Sequence, residues 1–345
     1  MNIVSVIMPT YNRAAYIKDA VDSVLAQTYG FFELIIVDDG SHDDTEEVIS
    51  PYLKDARIRY MKQDNKGVAA ARNRGLSMST GNLVAFIDSD DIWEPDKLKI
   101  EVSIMDALPE VGIVCSDFSA VKGDTLIENS HIRSYFSVLD DYRLDYQDIF
   151  SQQLDQYIEG LEKGDKVYWG NVFETMLFGN FILTSTCLCR SVVFETIGVF
   201  DESLRAAEDY DLYLKISKTY PVALIAKQLI RYRYSDNQLS GENHFGTLSV
   251  NLIDIFTKNV AAIKDEAFLR GNGKKIRGRL GQYYSQKGYF HFSREEMDEA
   301  ARWYLRSIPN DPRNYKSYVY LFFSLIPACI TRSIRKIKLV IRQRT

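Results

Sequence analysis

ELIIVDDGS at residues 33–41 and LVAFIDSDD at residues 83–91 have the same build, an apolar run that ends in a knot of acids. Each run is followed by a segment with helix-like spacing. Runs of Leu, Ile and Val without polar alternation read as strands buried on both faces, the pattern of a parallel sheet. Such a sheet binds its ligands outside the carboxyl ends of its strands, so both acid clusters are expected at one rim. Carboxylates hold a phosphate poorly on their own and hold well a divalent cation that bridges to one. The two stretches therefore point to a metal-dependent enzyme that uses a nucleotide.

Outward from these runs the alternation continues. VSVIM leads into PTYNR, after which Ile17, Ala20, Val21, Val24 and Leu25 recur at helical spacing. Ser41 is expected to open the helix after DDGS, with Asp43 and Asp44 suited to its positive end. IRYM precedes a helix over residues 68–78, and Pro95 with Asp96 opens another after DSDD. With VGIVC as a further short strand, the pattern to residue 120 is β-α-β-α-β-α-β. That is an α/β fold with a Rossmann-like, doubly wound, mostly parallel central sheet.

Residues 124–180 break this rhythm and read as a variable insertion, the kind of segment that carries partner specificity. FILTSTCLCR then reads as a resumed strand, SVVFETIG as a short helix, EDYDLYLKISKTY as a helix and VALIAKQLIRYRYS as a strand. The expected division is a nucleotide-binding domain over 1–240 and a C-terminal helical extension over 241–345. Within the extension, residues 281–312 resemble a single helical-hairpin repeat unit.

A chain of 345 residues with 46% hydrophobic and 26% charged residues can bury a sizeable core, and its net charge of -5 gives no nucleic-acid signal. Residues 331–345 differ from the rest: Arg332, Arg335, Lys336, Lys338, Arg342 and Arg344 stand there with no acid. Together with the aromatic stretch before it, this tail reads as an anchor on an anionic membrane surface or as a helix packed on the protein's own extension. The apolar stretch at 319–330 contains Pro327 and is shorter than the ~20 residues of a spanning helix. Cys115, Cys187, Cys189 and Cys329 lack zinc-ligand spacing and read as buried thiols of a reducing compartment. The first residues enter a strand without the regions of a secretory signal, so the expected location is cytoplasmic, peripheral on the inner face of the cell membrane. His42, His131, His244 and His291 form no cluster and read as incidental.

VSVIMPTYNR, SVLAQTYGFFELIIVDDGS, NKGVAAARNRG and FIDSDDIWEPDKL, in this order, resemble the bacterial family 2 glycosyltransferases over residues 3–240. The resemblance implies a glycosyltransferase A-type fold and transfer, with inversion, from a nucleoside-diphosphate sugar, expected to be UDP-linked. It makes Asp88 and Asp90 the D-x-D element, with Asp90 the direct ligand of Mn2+ or Mg2+, Asp88 beside it and Asp91 assisting. Alternate positions at a strand end would aim both carboxylates to one side; the bland reading is a solvated acidic turn. Pro9 and Tyr11 wall a base pocket or form an ordinary strand-to-helix turn. Asp39 accepts the imide N–H of a pyrimidine base or caps a helix, while Asp38 supports the loop. Arg72 is a donor contact or a solvent-facing side chain.

A single displacement also needs a general base on the acceptor side. The resemblance assigns this to Asp209, with Glu208 positioning the acceptor; the alternative is a pair of acids that stabilise a helix N-terminus. YRYSDNQLS resembles the segment that closes over the donor diphosphate, where Arg233, Gln238 and Ser240 are candidates and Tyr234 replaces a His of many relatives. The expected function is extension of a glycan or lipid-linked glycan acceptor in cell-surface polysaccharide synthesis. The alternatives are a polyprenyl-phosphate glycosyltransferase, which would often carry membrane helices, and a catalytically inactive assembly module. A dinucleotide oxidoreductase would need a G-x-G-x-x-G after the first strand, and a nucleotidyltransferase a Gly-rich loop with Lys; neither is present.

Overall fold

A computed structural model describes residues 2–123, 125–234 and 245–326. The chain divides into two compact units, Met1–Gln238 and Leu239–Thr345. In the first unit β1 (Val4–Thr10), β2 (Phe32–Asp38), β3 (Ile58–Lys62) and β4 (Leu83–Phe86) run parallel, β1 lying between β2 and β4. The apolar runs are buried as their composition requires: β1 and β4 are covered along their whole lengths. Helices α1 (Ile17–Leu25), α2 (Thr45–Ile49) and α3 (Val68–Met78) make the crossovers. On α3, a Cβ at Gly75 would lie 2.4 Å from Ile7 Cγ2, so only glycine allows the helix to sit this close to β1.

Beyond β4 come β5 (Ile92–Trp93), α4 (Lys97–Ala107), β6 (Ile113–Lys122) and β7 (Thr125–Glu128). The insertion is built of short pieces: α5 (Ile132–Tyr135), α6 (Val138–Asp141), α7 (Tyr146–Ile149), β8 (Gln152–Gln153), β9 (Val167–Gly170) and α8 (Phe173–Phe178). The unit closes with β10 (Leu188–Arg190), α9 (Ser191–Ile197), α10 (Glu208–Ser217) and β11 (Val222–Arg233). The sheet order is β3-β2-β1-β4-β10-β6-β11-β9-β8, with β5 beside β11 and β7 beside β6. Strands β6 and β11 keep the direction of β4, whereas β10 and β9 run against their neighbours. The sheet is therefore mixed and mostly parallel.

Two expectations change here. FILTSTCLCR is not one strand: Thr184–Thr186 forms a 3-10 turn and only Leu188–Arg190 joins the ladder. Its backbone is drawn out of the sheet by other partners, since the Asp88 N–H donates to Ser185 Oγ at 2.9 Å and Trp93 Nε1 donates to the Ser185 carbonyl at 3.0 Å. Nor does Ser41 open α2, which begins at Thr45; the Ser41 hydroxyl instead accepts the Asn12 N–H from the neighbouring loop. Cys115, Cys187 and Cys189 are buried free thiols, and Cys329 lies outside the described residues.

The second unit is helical among its described residues: α11 (Phe245–Ala261), α12 (Glu266–Ser293), α13 (Met297–Asn310) and α14 (Tyr315–Leu325). Asp265 starts α12 by accepting the N–H groups of Ala267 and Phe268. Phe292, Ala300 and Tyr304 form a core against which Met297, Tyr320, Leu321 and Phe323 pack. No described helix is long and apolar enough to cross a membrane.

Candidate active site

The strand pairing places Thr10 level with Asp38, and β4 ends beside them with Phe86 opposite Ile7. Both acid clusters thus emerge at one rim. The loops there are stapled together: the Arg13 N–H donates to Thr45 Oγ1 at 3.0 Å and the His42 N–H to Asn12 Oδ1 at 2.8 Å. Asn12 takes a φ of 53°, a left-handed turn that Asn tolerates better than most residues. Pro9 is buried inside β1, yet the Ile87 N–H to the Ile7 carbonyl is the last bond on that side of the strand. The missing N–H of Pro9 therefore costs no ladder bond. Tyr11 follows at the lip, 41% exposed.

Asp38 and Asp39 are buried acceptors. Asp38 takes the Ser41 N–H at 2.7 Å and the Tyr60 hydroxyl at 2.8 Å. Asp39 takes the Gln63 side-chain amide at 2.8 Å, the Lys66 N–H at 2.9 Å and the Gly67 N–H at 2.7 Å. Asp39 thereby pins the loop that delivers α3, whose N-cap Gly67 has φ 96°. Neither acid is a helix cap.

In the second cluster, Asp88 and Asp90 are partly exposed while Ser89 and Asp91 are buried. This alternation arises in a turn rather than on the strand, because β4 ends at Phe86 and the Asp91 N–H closes back on the Asp88 carbonyl at 3.0 Å. Each exposed carboxylate faces a guanidinium: Asp88 Oδ1 accepts from Arg72 at 2.8 Å, and Asp90 Oδ2 lies 3.3 Å from Arg13 Nε. Asp91 does not reach the surface. Its Oδ1 accepts the Arg233 N–H at 3.2 Å, which fastens the end of β11 to the acidic turn, and its Oδ2 has no hydrogen-bond partner. Burial pushes its carboxyl well above the ordinary range, and the charges of Asp90 and Asp88 add to the shift.

Arg72 is 4% exposed, which removes the solvent-facing alternative. Its guanidinium spans from Asp88 to Glu208 Oε1, also at 2.8 Å, and lies 5.4 Å from the centre of the Phe200 ring. Glu208 is buried and held on this arginine, at the first residue of α10 and after Ala207 in a left-handed conformation with φ 61°. The Glu208 carboxylate is thus turned to Arg72 in the interior, while the next residue stands at the surface. Asp209 is partly exposed; its Oδ1 accepts the Tyr210 N–H at 2.7 Å, and its Oδ2 lies 3.4 Å from the Thr184 hydroxyl. Burial raises the Glu208 carboxyl to about 7, with Asp209 adding to the rise and Arg72 opposing it. Burial likewise raises Asp209, again against Arg72.

Arg233 donates to Asp19 Oδ2 at 2.8 Å and lies over the Tyr16 ring, while Gln238 and Ser240 lie outside the described residues. The fold gives His131 two side-chain partners. It is buried, with Nδ1 on Glu128 and Nε2 at 2.8 Å from the Tyr234 hydroxyl, so a histidine from the insertion reaches the side chain at position 234. Sequence reasoning missed Arg13, Thr184 and Ser185. Arg13 lay in view within PTYNR, but nothing local marks which acid it will meet.

Among the described residues no three His, Cys, Asp or Glu side chains converge to hold a metal ion. Nucleotide-bound Mg2+ and similar ions typically take one or two carboxylates plus phosphate and water oxygens. Asp88 and Asp90 fit that half-set: they are accessible at one turn, and cationic groups already stand against both.

The sheet and its acidic rim define a glycosyltransferase A-type fold. S. aureus TarS shares it with a TM-score of 0.58 at 17% identity, over 97% of this chain and 91% of that chain. The mannosyltransferase PcManGT from Pyrobaculum calidifontis, solved with GDP-Man and Mn2+, aligns with a TM-score of 0.54 at 17% identity, over 94% and 86% of the two chains. Residues 5–166 match the family model described as glycosyl transferase family 2, and the chain belongs to that family. An uncharacterized glycosyltransferase of Rickettsia felis is 35% identical over 255 residues, 73% of this chain and 36% of that relative. WfgD of Escherichia coli, a UDP-Glc:alpha-D-GlcNAc-diphosphoundecaprenol beta-1,3-glucosyltransferase, is 42% identical over 104 residues, 30% of this chain and 41% of its own length. The chain thus spans roughly a third of the Rickettsia relative.

Proposed function

We propose that this chain is an inverting glycosyltransferase that moves a sugar from a UDP-linked donor to a hydroxyl of a glycan or lipid-linked glycan in cell-surface polysaccharide synthesis. One observation carries the reading: a single buried guanidinium, Arg72, joins Asp88 of the D-x-D turn to Glu208, next to the partly exposed Asp209. Donor-side and acceptor-side acids are therefore held in one fixed frame. The UDP donor and lipid-linked acceptor in the name of WfgD support the choice of substrates.

In this reading Asp90 and Asp88 hold a divalent cation, Mn2+ or Mg2+, which supplies neutralisation of the leaving diphosphate. Asp209 acts as the base. Its raised proton affinity suits it to take a proton from a sugar hydroxyl, and Oδ2 is the oxygen left for that proton while Oδ1 is held by the Tyr210 N–H. The acceptor oxygen bonds to the anomeric carbon as the carbon–oxygen bond to the diphosphate breaks, and the nucleoside diphosphate leaves with the electron pair. Tyr11 at the lip and Asp39 beneath it bind the base of the donor. Arg72 keeps Glu208 and Asp88 in place.

Asp209→Asn should lower turnover by about 10² to 10⁴ while the donor dissociation constant stays unchanged. Transfer is read with a panel of nucleotide sugars and manganese, and donor affinity by calorimetry. Loss of donor binding in this variant would move Asp209 into the nucleotide site and overturn the assignment.

A further inference from the structure

Helix α14 has two faces. Tyr320, Leu321 and Phe323 pack on the core of the helical unit, with Ser317 and Ser324 buried between them. On the opposite side Tyr315, Tyr318, Val319, Phe322 and Leu325 are 44% to 69% exposed. At about 100° per residue these five positions fall within an arc of about 120°, one continuous stripe along the helix. A scattered exposed Leu or Phe needs no explanation; a stripe of five large side chains on one helix does.

We propose that this stripe is a membrane-surface contact that lies in the headgroup region of an anionic lipid layer. Three observations select lipid over a protein partner. Two of the five residues are tyrosines, whose rings combine an apolar body with a polar tip and favour the membrane–water boundary. Arg313 and Lys316 at the start of the helix are exposed beside the stripe. The sequence that follows, 331–345, adds six Lys and Arg residues and no acid, although the chain as a whole is net negative. Apolar side chains flanked by unopposed positive charge match a surface that offers both acyl chains and negative headgroups. At 11 residues the helix is long enough to lie in that layer and far too short to cross it.

The test is co-sedimentation of the full chain with vesicles of phosphatidylcholine containing about a third phosphatidylglycerol, against pure phosphatidylcholine, at low and high salt. The full chain is expected to bind the anionic vesicles and to release with salt. Phe322→Ser with Leu325→Ser should weaken vesicle binding by about tenfold or more and leave the melting temperature unchanged, because both side chains point outward. Phe323→Ser, on the packed face, should lower the melting temperature instead. The inference is overturned if the full chain ignores anionic vesicles at low salt, or if the outward double variant binds them as well as the parent, which would assign binding to the basic stretch alone. It is equally overturned if the stripe serves only to pair two copies of the chain, seen as self-association lost in the double variant without vesicle binding in either. No donor or acceptor enters this measurement, so its result is separate from that of the transferase reading.

Discussion

The clusters Asp38–Asp39 and Asp88–Asp91 look alike in sequence and sit at the same rim, but the folded chain treats them oppositely. The first accepts from five neutral donors, among them three backbone N–H groups and the Tyr60 hydroxyl. The second meets two guanidiniums, and one Asp91 oxygen stays unpaired in the interior. Buried carboxylates supplied with neutral donors brace the loops around them. Carboxylates balanced by guanidiniums form a charged site whose ionisation is set by those neighbours. Position at a strand end therefore does not by itself distinguish the two clusters; their partners do.

The sharpest way to break this contrast is Asp90→Asn. Transfer should fall by about 10³-fold, while stability changes by about 1 kcal/mol or less, because the lost pairing with Arg13 is offset by relief of repulsion among neighbouring acids. Full transfer by this variant in the presence of a chelator would end the metal reading and with it the division between the clusters.

Asp38→Ala should show the reverse. It strips a buried backbone N–H and the half-buried Tyr60 hydroxyl of their acceptor, a cost of about 2–4 kcal/mol in urea unfolding, and acts on donor binding only through loosening of the loop. A stability loss no larger than that of Asp90→Asn would mean that the first cluster is no more structural than the second.

Much of this was legible. The apolar runs ending in acids disclosed the parallel strands and their common rim, because burial on both faces leaves a continuous apolar signature. Strand β10 was not legible as it stands, since three residues carry no period and its direction is set by β4 and β6 on either side. In the site, the acids were visible and their partners were not. Arg72 and Glu208 are 136 residues apart, and Arg13 reaches Asp90 only after the loops at Asn12 and Ser41 have been stapled. Side-chain pairing over such separations is a property of the assembled sheet.

A smaller effect is expected from pH. Burial holds the Glu208 carboxyl at about 7 against an ordinary 4.5, so the folded chain binds this proton more tightly than the unfolded chain does. The contribution of Glu208 to stability then falls as pH rises through that window. Glu208→Gln has no such proton, so its stability relative to the parent should climb from about pH 4.5 to about pH 7 and level off above it. Denaturant titrations across the window read the difference directly. A constant difference would show that Arg72 keeps Glu208 ionised throughout, which would make this pair resemble the rim pairs rather than a buried acid.

Asp39 gives the finest test, because it belongs to the braced cluster yet is assigned a ligand. A carboxylate has about four lone-pair sites, and three donors already occupy Asp39. One site remains for the imide N–H of a pyrimidine base, whereas the oxygens of Asp38 are turned to Ser41 and Tyr60 in the interior. Asp39→Ala should therefore weaken UDP binding by about tenfold, the value of one hydrogen bond to a charged acceptor, and also lower stability by freeing the Lys66 and Gly67 N–H groups. Asp38→Asn, which keeps one acceptor oxygen and the side-chain shape, should leave UDP affinity within about twofold. Calorimetry with UDP and GDP on both variants separates the outcomes. If Asp39→Ala lowers stability and leaves the affinity for both nucleotides unchanged, Asp39 is scaffold like its neighbour, and the whole of the first cluster passes to the structural side of the comparison.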